Sequence, residues 1–158
     1  MRKISTAQPV LAMLLGAIIL QLIPVSGEWL AWKPNFLLLV MIAWMLYFPD
    51  RYGVEFSVVV GICADLLFSS ALGYHVLIFT ICGLIVIFFH RVIAYLHTVH
   101  RVVLVFLLVI VVELLKAMMN SLGDIPVFLE HLPYLAIISS LFWVPLDKVV
   151  NRFYLRQK

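Results

Sequence analysis

Residues 54–73, VEFSVVVGICADLLFSSALG, decide how this chain folds. Most of their side chains are apolar, and the stretch has the length of one membrane crossing, which needs about 20 residues. Every fourth residue is small or polar, and residues four apart lie on one face of a helix. These residues are Ser57, Gly61, Asp65, Ser69 and Gly73. The pattern predicts a membrane helix with a small-residue packing groove and one carboxylate at its middle.

The whole chain is too apolar for an ordinary soluble domain. Of its 158 residues, 65% are hydrophobic and 12% are charged, whereas soluble domains average about 45–50% and about 25%. Six apolar runs cover approximately residues 9–25, 35–48, 54–72, 74–89, 102–119 and 133–146. The connections between them are too short to fold separately. The sequence therefore predicts an all-α, polytopic integral membrane bundle of six transmembrane helices, forming a single domain over residues 1–158.

The distribution of basic residues predicts the orientation of this bundle. If the N-terminus is cytoplasmic, nine of the eleven Lys and Arg residues lie on the inner side, and only Lys33 and Lys116 lie in the outer half. Cytoplasmic loops of membrane proteins carry such an excess of positive charge. We therefore expect both termini to be cytoplasmic.

Three ionisable residues fall deep inside the apolar runs: Asp65, Glu113 and Lys116. A rise of about 1.5 Å per residue places them at similar depths, so they form one intramembrane charge cluster if the third and fifth helices meet. Two interpretations stay open. The cluster is either a structural ion pair beside a hydrogen-bonded aspartate, or an ion relay or substrate site. An enzyme would need a second deep acid or base facing Asp65, and Glu113 is the only candidate.

Signatures of catalysis and metal binding are missing from the sequence. It contains no GxSxG, HExxH or phosphate-binding loop. The two cysteines, Cys63 and Cys82, lack the spacing of metal ligands. We therefore expect no catalytic residue, no metal, no other cofactor and no nucleic-acid partner.

The connection between the fifth and sixth runs is unusually apolar for a loop. Apolar residues there would otherwise face water or lipid headgroups, so they predict contact with the membrane surface or with a partner. The possible partner loop comprises Ile125, Pro126, Val127, Phe128 and Leu129.

The segment from Trp32 to Gly73 resembles the rod-shape-determining MreD family of Gram-negative bacteria. Prolines and an asparagine bound the second run, and glycines flank an aspartate along the third. The length, the helix count and the basic ends of the chain also fit this family. The matching residues, in their order and spacing, are Lys33, Pro34, Asn35, Pro49, Gly61, Asp65, Leu66 and Gly73.

The resemblance implies a non-enzymatic, multi-pass scaffold of the cell-wall elongation machinery in the bacterial inner membrane, needed for rod cell shape and peptidoglycan synthesis. Its implied partners are the periplasmic protein MreC, the actin-like MreB, the glycosyltransferase RodA with its penicillin-binding transpeptidase, and membrane lipids.

The family also resembles, in fold, the substrate-binding components of energy-coupling-factor transporters. The alternative function is therefore that of a substrate-binding membrane component of a small-molecule, vitamin-type transporter. A scaffold predicts that another chain covers the packing groove or the partner loop. A transporter component predicts a closed polar cavity around Asp65.

Overall fold

The computed structural model describes residues 7–24, 26, 32–94, 98–122 and 132–155, without the side chains of residues 91–94, 98, 121 and 122. Over these ranges the chain is all-helical, with six helices and no strand. The helices are α1 (Ala7–Leu22), α2 (Phe36–Tyr47), α3 (Val54–Leu67), α4 (Tyr74–Ala94), α5 (Thr98–Leu122) and α6 (Leu132–Leu155). The prediction of an all-α chain with six helices is confirmed for this part of the molecule.

The second helix, α2, lies at the centre. It packs against α1, α3, α4 and α6, and every residue from Leu37 to Tyr47 is buried. A helix enclosed on all sides needs no polar face, which explains why α2 is apolar all round. Its first turn is capped by Asn35, whose side-chain oxygen accepts a hydrogen bond from the Leu38 amide at 3.2 Å.

The outer surface of the bundle is apolar. Two helical segments, Val99–Asn120 and Leu132–Leu155, are long and apolar enough to cross a membrane, and three shorter apolar helices accompany them. Extensive exposed apolar surface is unusual in a soluble monomer, so it fits contact with lipid. Examples of large exposed side chains are Leu11, Ile19, Leu66, Phe88, Met118 and Leu141.

The third helix ends earlier than predicted. The apolar run predicts a helix to Leu72, but α3 ends at Leu67. Beyond it, Ser69 has a φ of +49° and Gly73 a φ of +103°. Both values lie in the left-handed region, which interrupts a right-handed helix. Only three residues of the predicted row therefore share a face of α3: Ser57, Gly61 and Asp65.

This early ending changes the position of the carboxylate. Asp65 lies two residues before the end of α3, rather than at the middle of a long crossing. It sits at the end of the bundle where α4 begins, which we call the Asp65 end. The opposite end, where α2 ends and α5 begins, contains Asp147 and is called the Asp147 end.

Candidate functional site

Asp65 is the centre of a hydrogen-bond network that joins α3 to α4. Its side chain is buried, with the residue 1% exposed. Oδ1 accepts hydrogen bonds from Ser70 Oγ at 2.9 Å and from the His75 amide at 2.7 Å, and Oδ2 accepts one from the Gly73 amide at 2.7 Å. The ring nitrogen Nδ1 of His75 also lies 2.9 Å from Oδ1. Because a carboxylate only accepts, this contact assigns a proton to Nδ1.

These contacts make Asp65 the N-terminal cap of α4. The first amides of a helix have no partner within it, and a side-chain oxygen usually accepts from one of them. Here the capping oxygens come from the preceding helix and accept from Gly73 and His75. The positive N-terminal end of the helix dipole also favours a negative charge. The buried carboxylate is therefore stabilised by backbone amides and the helix dipole.

Close backbone contact fixes the same helix pair along its length. A Cβ atom added to Gly61 would lie 2.6 Å from the Cα of Val76 in α4. Further along, a Cβ on Gly83 of α4 would lie 2.8 Å from the Cβ of Ser57. Small residues at such positions allow two helices to approach closely in lipid.

The occupant of the packing groove is therefore α4 of the same chain. Ser57 is fully buried and Gly61 is buried, so this face is not open to another protein. A scaffold is expected to offer either the groove or the partner loop to another chain, and the groove is not available, because the adjacent helix follows after a short turn and fills it. The other two residues of the predicted groove belong to that turn, since Ser69 and Gly73 lie beyond the end of α3.

A polar cavity of about 370 Å³ lies at the Asp65 end. Its lining residues are Gln21, Lys33, Asn35, Phe68, His75, Glu113, Lys116 and Leu135. Lys33 Nζ donates to the carbonyl oxygens of Gln21 at 2.6 Å and Ile23 at 2.8 Å, so it caps the end of α1. The Gln21 side chain in turn accepts from the Phe36 amide at 3.1 Å, at the start of α2.

The three residues of the predicted charge cluster, Asp65, Glu113 and Lys116, all lie at the Asp65 end. They do not form a single ion-pair network. Lys116 Nζ donates to Glu113 Oε1 at 2.6 Å, as an i, i+3 pair on α5. Asp65 instead bonds to Ser70, Gly73 and His75. The imidazole of His75 lies between the two sets, because it contacts Asp65 and also lines the cavity beside Glu113 and Lys116.

A second polar cluster, at the Asp147 end, joins α2, α5 and α6. Tyr47 Oη donates to Asp147 Oδ1 at 2.7 Å and accepts from Arg101 Nη1 at 2.6 Å. The guanidinium of Arg101 is also 3.6 Å from Asp147 Oδ1 and lies 5.3 Å from the centre of the Tyr47 ring. Asp147 is 3% exposed, and a buried carboxylate of this kind requires such partners.

Sequence reasoning missed two features of these clusters. It assigned no role to His75, although this residue lies in the first turn of α4 and is buried. It assigned no role to Asp147, although this residue is buried on α6 and accepts a hydrogen bond from Tyr47. The spacing of the sequence could have indicated that Asp147 is buried, because Trp143, Asp147 and Val150 recur at helical intervals on one face of α6.

Most of the residues that carry the family resemblance have identifiable structural roles, and the exception is Leu66, whose side chain is exposed. Asn35 caps α2, and the buried Pro34 precedes it. Pro49 lies in the turn that follows α2. Gly61, Asp65 and Gly73 hold the α3–α4 pair together, as described above. The possible partner loop, Ile125 to Leu129, lies outside the described residues.

These features define a class: an all-helical, membrane-type protein whose buried polar groups hold its own helices together. Among the described residues, no group of three or more His, Cys, Asp or Glu side chains is placed to hold a metal ion. The model of the family described as "rod shape-determining protein MreD" matches residues 1–153. The chain belongs to the MreD family, and this membership supports a role in determining rod shape.

A curated relative agrees with this assignment. It is the rod shape-determining protein MreD of Haemophilus influenzae, 32% identical over 69 residues, which are 44% of this chain and 43% of the relative. The chain thus aligns with less than half the length of that relative. No solved structure matches the chain.

Proposed function

We propose that this chain is a non-enzymatic, multi-pass scaffold of the bacterial inner membrane that supports cell-wall elongation. It would bind MreC, link to MreB, and associate with RodA and its penicillin-binding transpeptidase. The observation that carries the proposal is the family match over residues 1–153. Residues 1–158 would form one domain with six crossings and both termini in the cytoplasm.

The placement of the charged residues supports this topology. Lys33 and Lys116 line the cavity at the Asp65 end, whereas Arg51 and Arg101 line a cavity at the Asp147 end. Most of the Lys and Arg residues in the described ranges belong to the Asp147 end, so that end would face the cytoplasm under the positive-inside rule. The exposed apolar side chains between the two ends would contact lipid.

The chemistry of Asp65 supports a structural role rather than catalysis. Its acceptor oxygens are engaged by two backbone amides, a serine hydroxyl and an imidazole. A carboxylate held in this way stabilises the fold at a fixed place. An ion or proton relay would require it to exchange partners.

The partner surface would lie outside the α3–α4 groove, because α4 fills that groove. The loop from Ile125 to Leu129 stays the proposed contact with a periplasmic partner. Substitution Phe128→Asp should abolish co-purification of MreC in mild detergent while the amount of membrane-inserted chain is unchanged. Leu155→Asp is the control, since it also replaces a large apolar side chain with aspartate, at an exposed residue of the Asp147 end.

Cells provide the decisive test of the scaffold proposal. Depletion of the chain should convert rods to spheres, and the wild-type copy should restore rods. Cells that keep their rod shape after depletion would contradict the proposal. Equal loss of MreC from Phe128→Asp and Leu155→Asp would contradict the assignment of the loop.

One observation favours the second candidate, a substrate-binding component of a transporter. The polar cavity of about 370 Å³ has the volume of a small-ligand site, and it is lined by His75 and Glu113 although not by Asp65 itself. In that case the purified chain would carry a stoichiometric small molecule detectable by mass spectrometry. Depleted cells would then lose uptake of a vitamin and stay rod-shaped. That result would support a function like that of the substrate-binding components of energy-coupling-factor transporters.

A further inference from the structure

A second cavity, of about 340 Å³, lies at the Asp147 end of the bundle. It is formed by the end of α2 and the turn that follows, the last part of α4, the first turn of α5 and the last turns of α6. Its lining residues are Leu46, Tyr47, Phe48, Pro49, Asp50, Arg51, His90, Arg101, Asn151 and Tyr154. The scaffold function proposed above assigns no role to it.

One cation of this cavity is held in place by the fold. The Arg101 guanidinium donates from Nη1 to Tyr47 Oη at 2.6 Å and stands 3.6 Å from Asp147 Oδ1. Its side chain is 16% exposed, so it belongs partly to the bundle interior and partly to the cavity wall. A cation fixed before a ligand arrives loses little conformational freedom on binding.

The remaining wall is suited to an anion. Arg51 supplies a second guanidinium from the turn after α2, and Asn151 and Tyr154 supply neutral polar groups from α6. Asp50 is the one carboxylate among the described lining residues, and it is exposed to solvent. Guanidinium groups present planar arrays of N–H donors that match the oxygens of a phosphate.

We propose that this cavity binds a phosphate-bearing anion through Arg51 and Arg101. Its volume lies within the range of small-ligand pockets. In the proposed topology it opens at the cytoplasmic membrane interface, where lipid phosphates lie and where basic pockets between helices bind anionic headgroups. The same chemistry would be presented by a phospholipid headgroup or by free phosphate, so the experiment contains an arm for each.

The test is binding of three probes to the purified full chain in a non-ionic detergent. The probes are a short-chain phosphatidylglycerol, the corresponding phosphatidylcholine and inorganic phosphate. Microscale thermophoresis measures the Kd of each probe. Arg51→Gln removes one exposed cation and should raise the Kd for the anionic probe about tenfold, which is the effect of one lost charge-assisted hydrogen bond. Arg152→Gln makes the same change at an exposed residue outside the cavity and should leave the Kd unchanged.

A second variant keeps the proposal testable if Arg51→Gln alters folding. Asn151→Asp preserves the size of the side chain and adds a carboxylate to the wall, so it should also weaken anion binding. Binding of phosphatidylglycerol but not inorganic phosphate would identify the lipid headgroup as the ligand, and comparable binding of both would identify free phosphate. The proposal is overturned if neither anion binds, if phosphatidylcholine binds as tightly as phosphatidylglycerol, or if Arg152→Gln weakens binding as much as Arg51→Gln.

Discussion

Substitution Asp65→Asn tests whether this carboxylate acts as the cap of α4. Three donors reach Oδ1, namely the Ser70 hydroxyl and two N–H groups of His75, and the Gly73 amide reaches Oδ2. Asparagine has the same shape, and its single carbonyl oxygen can accept from the three donors at Oδ1. Its NH₂ group would then face the Gly73 amide, so that two donors oppose each other.

The expected cost follows from these contacts. A buried donor that loses its acceptor costs about 1–3 kcal/mol, and loss of the negative charge at the helix N-terminus costs about 0.3–1 kcal/mol more. The total of about 1.3–4 kcal/mol corresponds to a fall in Tm of about 3–16 °C for a chain of this size. Asp65→Leu leaves all four donors without an acceptor, so its Tm should fall further.

Thermal unfolding of the purified chain in mild detergent, followed by circular dichroism, measures both effects. Asp50→Asn is the matched control, because Asp50 is an exposed carboxylate in a turn and the same change there should shift Tm by about 2 °C or less. An unchanged Tm for Asp65→Asn would refute the capping role. Equal losses from Asp65→Asn and Asp65→Leu would show that the ionised group itself matters, which would favour ion or proton chemistry.

Three further predictions concern packing, the second cluster and topology. Gly61→Ala places a methyl group against the backbone of α4 and should lower both the Tm and the yield of membrane-inserted chain. The control Val59→Leu changes a residue that is 57% exposed and should be tolerated. Similar yields for the two variants would show that the contact between α3 and α4 is not tight. Tyr47→Phe removes the hydroxyl between Arg101 and Asp147 and should lower the free energy of unfolding by about 1–3 kcal/mol. The effect is measured as a Tm shift and compared with that of Tyr134→Phe at an exposed tyrosine. An equal shift in the two variants would contradict a structural role for the cluster. A reporter active only in the periplasm and fused after Lys158 should give no signal, since a strong signal would mean an odd number of crossings.

The sequence by itself determined the properties that depend on composition and local spacing. The apolar runs predicted six helices, and the bounds of α2 fall within one residue of the predicted run at each end. The spacing of Ser57, Gly61 and Asp65 predicted a face for close helix contact, because residues four apart always align on a helix. The unequal distribution of Lys and Arg predicted which residues share an end of the bundle.

Only the tertiary structure decided which groups meet. Tyr47 and Asp147 are 100 positions apart, and no local pattern specifies that contact. The partners of Asp65 depend on a turn in which Ser69 and Gly73 adopt positive φ angles. That turn directs the first amides of α4 toward the carboxylate and α4 itself into the small-residue groove. The sequence shows that a buried carboxylate needs hydrogen-bond donors, but only the tertiary structure determines which donors lie close to it.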